Sequence, residues 1–203
     1  MRLLMVRHGI TDWNAQGRYQ GQSNLPLNSE GRKQAEALAR RLSQEGISAV
    51  YTSDLQRATQ TAQAIAEKQA APLVFEPRLR EIHFGRWEGL THDEIDRCDP
   101  VALAEWERDF PRAAPTGGET LAQLTGRVEP VLKDIREKYM DKTILLVSHA
   151  GPMQVLLCLA LGLPVEKFWQ FQVAPASLSE IAFYPAGAIL NLLNDIHYLE
   201  ETA

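Results

Sequence analysis

Short apolar runs alternate with amphipathic stretches along most of this chain, and that alternation constrains the fold more than any other feature. Residues 3–6 (LLMV), 49–53 (AVYTS), 73–76 (LVFE) and 143–148 (TILLVS) have the length and apolar density of buried strands. Between them lie stretches with helical spacing. Asn28 or Ser29 is placed to cap a helix whose Ala35, Leu38, Ala39 and Leu42 form one stripe, with Gly46 to end it. Asp54 is placed to open a second, with Ala58, Thr61, Ala62, Ile65 and Ala66 on its buried face. Strand, helix, strand, helix, strand implies right-handed crossovers. The expected fold is therefore an α/β three-layer sandwich with a mainly parallel central sheet.

The rest of the chain is read the same way. Residues 9–26 are expected to form a loop, and residues 77–118, where tryptophan, proline and charge break the rhythm, a small helical lid insertion. Inside that insertion Thr91 and Glu94 have capping-box spacing and residues 101–110 suit a further helix. A longer helix is expected over 120–139, kinked or restarted at Pro130, and an apolar one over 152–161, stopped by Gly162 and Pro164. Residues 177–184 and 188–193 read as two closing strands around Pro185-Ala186-Gly187. One domain over residues 1–203 is expected.

Composition narrows the function classes. A formal charge of -5 with 23% charged residues lacks the basic excess of nucleic-acid binders, so no nucleic-acid partner is expected. No apolar run reaches the ~18 residues of a membrane span, and none has the secretory pattern, so a cytoplasmic protein without membrane contact is expected. Cys98 and Cys158 show neither disulfide-framework nor zinc-ligand spacing. Cys158 reads as a buried small hydrophobe.

Three of the strands lead into chemistry. The first runs into Arg7, His8 and Gly9, the second reaches Arg57 within a few residues, and the fourth ends at His149. In a parallel sheet their carboxyl ends share one edge, where two histidines and two arginines would converge. Arginine offers a planar fork of donors that matches phosphate oxygens, so the cluster suits a phosphomonoester dianion. A neutral histidine is a competent nucleophile at phosphorus, and His8 is the candidate because Gly9 permits close backbone approach and an unusual dihedral beside it. His149 and the arginines would stabilise the transferring phosphoryl group. Glu81 or Glu88 could protonate the leaving alkoxide.

Those residues resemble a known family. Val6-Arg7-His8-Gly9 with Trp13-Asn14, Gly17-Arg18-Tyr19-Gln20-Gly21, Thr52-Ser53-Asp54-Leu55-Gln56-Arg57-Ala58, the run from Leu79 to Gly89, Gly117-Gly118-Glu119 and Val147-Ser148-His149-Ala150-Gly151 follow the order of the histidine phosphatase superfamily. They look most like the branch containing cofactor-dependent phosphoglycerate mutases, α-ribazole phosphatases and metal-independent phosphoserine phosphatases. The resemblance implies a phosphoglycerate mutase-like fold, His8 as phosphorylated nucleophile, and Arg7, Arg57 and His149 as the phosphate pocket. It also implies Glu81, rather than Glu88, as proton donor, and Asn14, Gln20, Gly21, Ala150 and Gly151 as substrate contacts. Ile10 and Ala150 depart from the family pattern, where a polar residue and a second glycine are common.

No metal or cofactor is expected, because the implied mechanism needs none and the spacing of His83, Glu88 and His92 fits no common ligand motif. The expected activity is hydrolysis of a small phosphomonoester, with α-ribazole 5′-phosphate and L-phosphoserine as candidate substrates. The alternatives are a cofactor-dependent phosphoglycerate mutase and a catalytically silent phosphate-binding protein. The short segment 87–118 and the close of the chain soon after residues 195–199 favour hydrolysis over mutase chemistry. Trp87, Trp106 and Trp169 read as core, with Trp87 a possible pocket wall. The apolar C-terminal third is the candidate surface for a homodimer.

Overall fold

A computed structural model describes residues 1–202 of the chain. Its elements, in order, are β1 (Arg2–Arg7), α1 (Asp12–Ala15), α2 (Ser29–Arg41), β2 (Ile47–Thr52), α3 (Gln56–Gln69), β3 (Leu73–Phe75), α4 (His92–Cys98), α5 (Pro100–Arg108), α6 (Leu121–Lys138), β4 (Thr143–Ser148), α7 (Ala150–Leu161), β5 (Leu178–Tyr184) and β6 (Gly187–Asp195). The strands form one six-stranded sheet in the order β3-β2-β4-β1-β5-β6. The β3-β2-β4-β1 part is parallel, while β5 and β6 run antiparallel.

Strand periodicity builds the three layers. Along β1, Leu3 and Met5 face a core completed by α6 and α7, whereas Leu4 and Val6 face a second core completed by α2 and α3. In β4, Ile144 and Leu146 alternate in the same way with Leu145 and Val147. Both faces are covered, which is why these strands are apolar at consecutive positions rather than at alternate ones.

Several boundaries differ from expectation. The 9–26 loop contains α1, closed by a reciprocal cap between Thr11 and Asn14. Asn28 caps α2, but the helix stops at Arg41 and Gly46 instead supplies a left-handed turn before β2. Asp54 does not cap α3; its carboxylate takes Arg80, and Leu55 holds the cap position without a side-chain bond. Pro130 neither breaks nor restarts α6, whose buried stripe of Leu124, Val128, Val131, Leu132 and Ile135 runs through it. The α7 helix begins at Ala150, immediately after His149. The capping box of Thr91 and Glu94 is present at α4, and β5 and β6 pair around Pro185 and Ala186.

Trp87 is fully buried with Ile95 and Leu103, and Cys158 is buried in the α6–α7 core. Trp169 is the exception among the tryptophans, with 67% of its surface exposed. It lies in a short 3-10 stretch that buries Phe168 instead. No helix among the described residues is long and apolar enough to cross a membrane.

Candidate active site

The carboxyl ends of β1, β2 and β4 meet at one sheet edge, and main-chain pairing carries β1 one residue further. The His8 N–H donates to the Ser148 carbonyl at 3.0 Å, and the His8 carbonyl accepts from Ala176 N–H at 3.0 Å. The base of the His8 side chain is therefore fixed from both sides. Gly9 follows for steric reasons: a Cβ there would stand 2.6 Å from the Gly31 carbonyl oxygen. Its backbone is not in the left-handed region, so the expected unusual dihedral is absent.

Hydrogen bonding sets the His8 tautomer. Nδ1 lies 2.7 Å from the Gly9 carbonyl oxygen, which can only accept, so Nδ1 carries the proton. Nε2 then keeps its lone pair, and Arg57 Nε donates to it at 3.2 Å. The remaining Arg57 nitrogens are anchored by carbonyls: Nη1 donates to Ser23 and Nη2 to Gly21, each at 2.7 Å. Arg7 Nη1 donates to the Val173 carbonyl at 2.6 Å. The His149 ring centroid is 5.0 Å from that of His8, and its Nε2 is 2.9 Å from Ser53 Oγ.

Electrostatics follow from that crowding. Burial pushes both histidines well below the ordinary imidazole range, and the charges of Arg57 and Arg7 push in the same direction. Both rings are neutral at pH 7. Burial also lowers Arg57, to about 10, which leaves it a cation at neutral pH. Arg7 Nε and His149 Nδ1 are buried with no hydrogen-bond partner among the described residues. Two fixed positive charges and two unsatisfied buried nitrogens make a site suited to an oxyanion.

The two candidate acids separate clearly. Glu81 lines the cleft, where its Oε1 accepts from Ile82 N–H and Gly151 N–H at 2.9 and 3.0 Å. Glu88 does not line the cleft, and its carboxylate is occupied by the N–H groups of Gln22 and Phe84 and the Ser23 hydroxyl. The cleft has a volume of about 280 Å³. Its outer wall is the edge-to-face pair Tyr19 and Phe84, with ring centroids 4.9 Å apart. Arg18 stands beside them, tied to the Gly89 carbonyl and to Glu94. A larger hollow of about 890 Å³ along α6 is lined by surface residues such as Glu129, Lys133 and Met140 and contains none of these groups.

Of the expected site residues, Arg7, His8, Asn14, Gln20, Gly21, Arg57, Glu81 and Ala150 line the one cleft, and His149 lies directly behind His8. Gly151 differs: its N–H is committed to Glu81 instead of facing a ligand. Of the segment 77–118, only Glu81 and Phe84 reach the cleft. His92 is not near a shared site with His83 and Glu88; it pairs with Glu107. Sequence reading gave no role to Ser53, Tyr19, Phe84 or Arg127. Arg127 donates to the carbonyls of Arg78, Arg80 and Glu81 and pairs with Glu119, so it holds the Glu81 segment against α6. Its one signal was a basic residue beside the buried Leu124 and Val128 stripe.

An α/β sheet with this cluster at its carboxyl edge suits phosphoryl chemistry, and its relatives make the chain a phosphoric monoester hydrolase. The chain belongs to the histidine phosphatase superfamily: the family model for its branch 1 matches residues 3–196. It is 35% identical over 201 residues to phosphoserine phosphatase 1 of Hydrogenobacter thermophilus, covering 99% of this chain and 95% of that protein. It is 38% identical over 174 residues to a glucosyl-3-phosphoglycerate phosphatase of Mycolicibacterium vanbaalenii, covering 82% and 77%. The crystal structure of the α-ribazole phosphatase from Shigella flexneri superposes with a TM-score of 0.90 at 33% identity, covering 96% of each chain.

Proposed function

We propose that the chain hydrolyses a small phosphomonoester in two steps through a phosphohistidine at His8. The observation that carries this reading is the His8 tautomer: the Gly9 carbonyl holds the proton on Nδ1 and leaves the Nε2 lone pair available. In the first step Nε2 bonds to phosphorus as the ester P–O bond breaks, and the leaving alkoxide takes a proton from Glu81. In the second, water attacks phosphorus, Glu81 takes its proton back, and the N–P bond breaks to release phosphate. Arg7, Arg57 and His149 surround the phosphoryl oxygens, where their donors offset the charge that develops in each step. Asn14, Gln20, Gly21 and Ala150 contact the substrate around that centre.

Between the two candidate substrates, the outer wall favours α-ribazole 5′-phosphate over L-phosphoserine. Tyr19 and Phe84 present rings against which a flat heterocycle can pack. L-phosphoserine would instead call for partners to its ammonium and carboxylate, and Arg18 already serves Glu94. Free Cys98 and Cys158 support a reducing, cytoplasmic setting. Ile189, 55% exposed on the edge strand β6, supports a homodimer.

The test is phosphate release in EDTA from α-ribazole 5′-phosphate, L-phosphoserine, glucosyl-3-phosphoglycerate and sugar phosphates, run beside His8→Ala. The expected result is one strongly preferred compound and a folded variant with no turnover. A folded and active His8→Ala protein overturns the mechanism, and a preference for L-phosphoserine overturns the substrate assignment.

A further inference from the structure

Glu88 sits seven residues beyond Glu81, only 13% of its side chain is exposed, and it is not itself part of the cleft wall. Its carboxylate grips one face of the loop at Gly21, Gln22 and Ser23. Oε1 accepts from Gln22 N–H at 2.9 Å and Oε2 accepts from the Ser23 hydroxyl at 2.6 Å. The other face of the same loop presents the Gly21 and Ser23 carbonyls to the two terminal nitrogens of Arg57. Gly21 is what lets carboxylate and loop approach. Its φ is +51°, and a Cβ there would stand 2.1 Å from Glu88 Oε1.

We propose that Glu88 is a positioning residue for Arg57, acting through the Gly21–Gln22–Ser23 backbone that it and the guanidinium hold from opposite sides. Only with both terminal nitrogens anchored does the fork present Nε to His8 Nε2. A carboxylate is suited to the task because charge-assisted bonds to an N–H and a hydroxyl are stronger than neutral ones. Its negative charge also favours the cationic form of the buried Arg57. Phe84 N–H donates to the same Oε1 at 3.2 Å, so one carboxylate fixes both the guanidinium anchor and the start of the aromatic wall.

The inference rests on the reading of Arg57 as a phosphate ligand, and a double-mutant cycle separates the two. Binding of inorganic phosphate is measured by calorimetry for the wild type, Glu88→Ala, Arg57→Ala and the double variant, with folding checked by circular dichroism. Glu88→Ala is expected to weaken phosphate binding about tenfold in the wild-type background, the scale of one lost charge-assisted hydrogen bond. In the Arg57→Ala background it is expected to have no effect. Glu88→Gln, which keeps acceptor and shape, should lose only about threefold, and it decides the cycle if Glu88→Ala does not fold. An equal loss in both backgrounds, or none in either, overturns the positioning role. If Arg57→Ala binds phosphate as tightly as the wild type, the reading of Arg57 itself fails.

Discussion

Arg57 Nε and His8 Nε2 are 3.2 Å apart and share a hydrogen bond, so the guanidinium rests on the lone pair that the proposed mechanism uses to attack phosphorus. In the proposed mechanism, arrival of a phosphoryl group exchanges that bond for bonds from Arg57 to phosphoryl oxygens. The carbonyl anchors at Gly21 and Ser23 can persist through the exchange because they use the other two nitrogens.

Arg57→Lys tests that division of labour. A lysine keeps the charge but cannot hold two carbonyls and face His8 at once. We expect kcat/KM to fall by roughly 10²–10³-fold, the scale of a lost transition-state donor. Steady-state kinetics on an aryl phosphate checks this; a loss below tenfold would show that charge alone suffices.

Glu81→Gln removes the proton that the proposed mechanism gives to the leaving group. The loss should be large for alkyl phosphates and small for p-nitrophenyl phosphate, whose leaving group departs without protonation. Single-turnover rates on the two classes decide the matter, and equal losses would point to another acid.

The buried histidines make stability depend on pH in a defined direction. Their folded pKa values lie well below the ordinary value, so below about pH 6.5 the unfolded chain binds protons that the folded chain refuses. Stability therefore holds above that pH and declines as pH falls through it, at up to about 1.4 kcal/mol per pH unit for each histidine. Urea melts between pH 7.5 and 5 should show this slope, and His8→Ala should show a shallower one.

Gly31→Ala should be destabilising without any direct contact with a ligand. A Cβ at Gly31 would stand 2.1 Å from the Ile10 carbonyl oxygen, and neither backbone is free to yield. Overpacking of this kind costs about 1–3 kcal/mol. Denaturant melts measure it, and because Gly31 abuts Gly9 the variant should also lose turnover.

The sheet and its reactive edge were legible because both rest on local pattern. Apolar runs marked β1, β2 and β4, and polar residues at their ends marked the cleft. Trp169 was misread because a large apolar side chain signals a core only on average, and here the neighbouring Phe168 fills that role. The start of α7 at Ala150 was hidden because His149 occupies the cap position without a side-chain cap bond. Arg127 was marked only by its place beside the Leu124 and Val128 stripe, and Ser53 only by its place in a motif, so the role of neither was legible. Their partners are 46 and 96 residues away, and an arginine that binds carbonyls carries no local pattern.

The reversal of direction at β5 ties the reactive edge to the packing of the whole sheet. Because β5 runs against β1, its first residue lies beside the end of β1, and the chain entering it passes His8. That entering stretch holds Arg7 and His8 through main-chain atoms of Val173, Ala176 and Ser177. Val173 and Ala176 are themselves buried in the two cores, one on each face of the sheet, and Ala176 holds a left-handed φ of +56°. The stretch before β5 is therefore a clasp: the same few residues close both cores and hold the backbone and guanidinium that set the reactive edge, so a packing change on either face of the sheet is felt at Arg7 and His8.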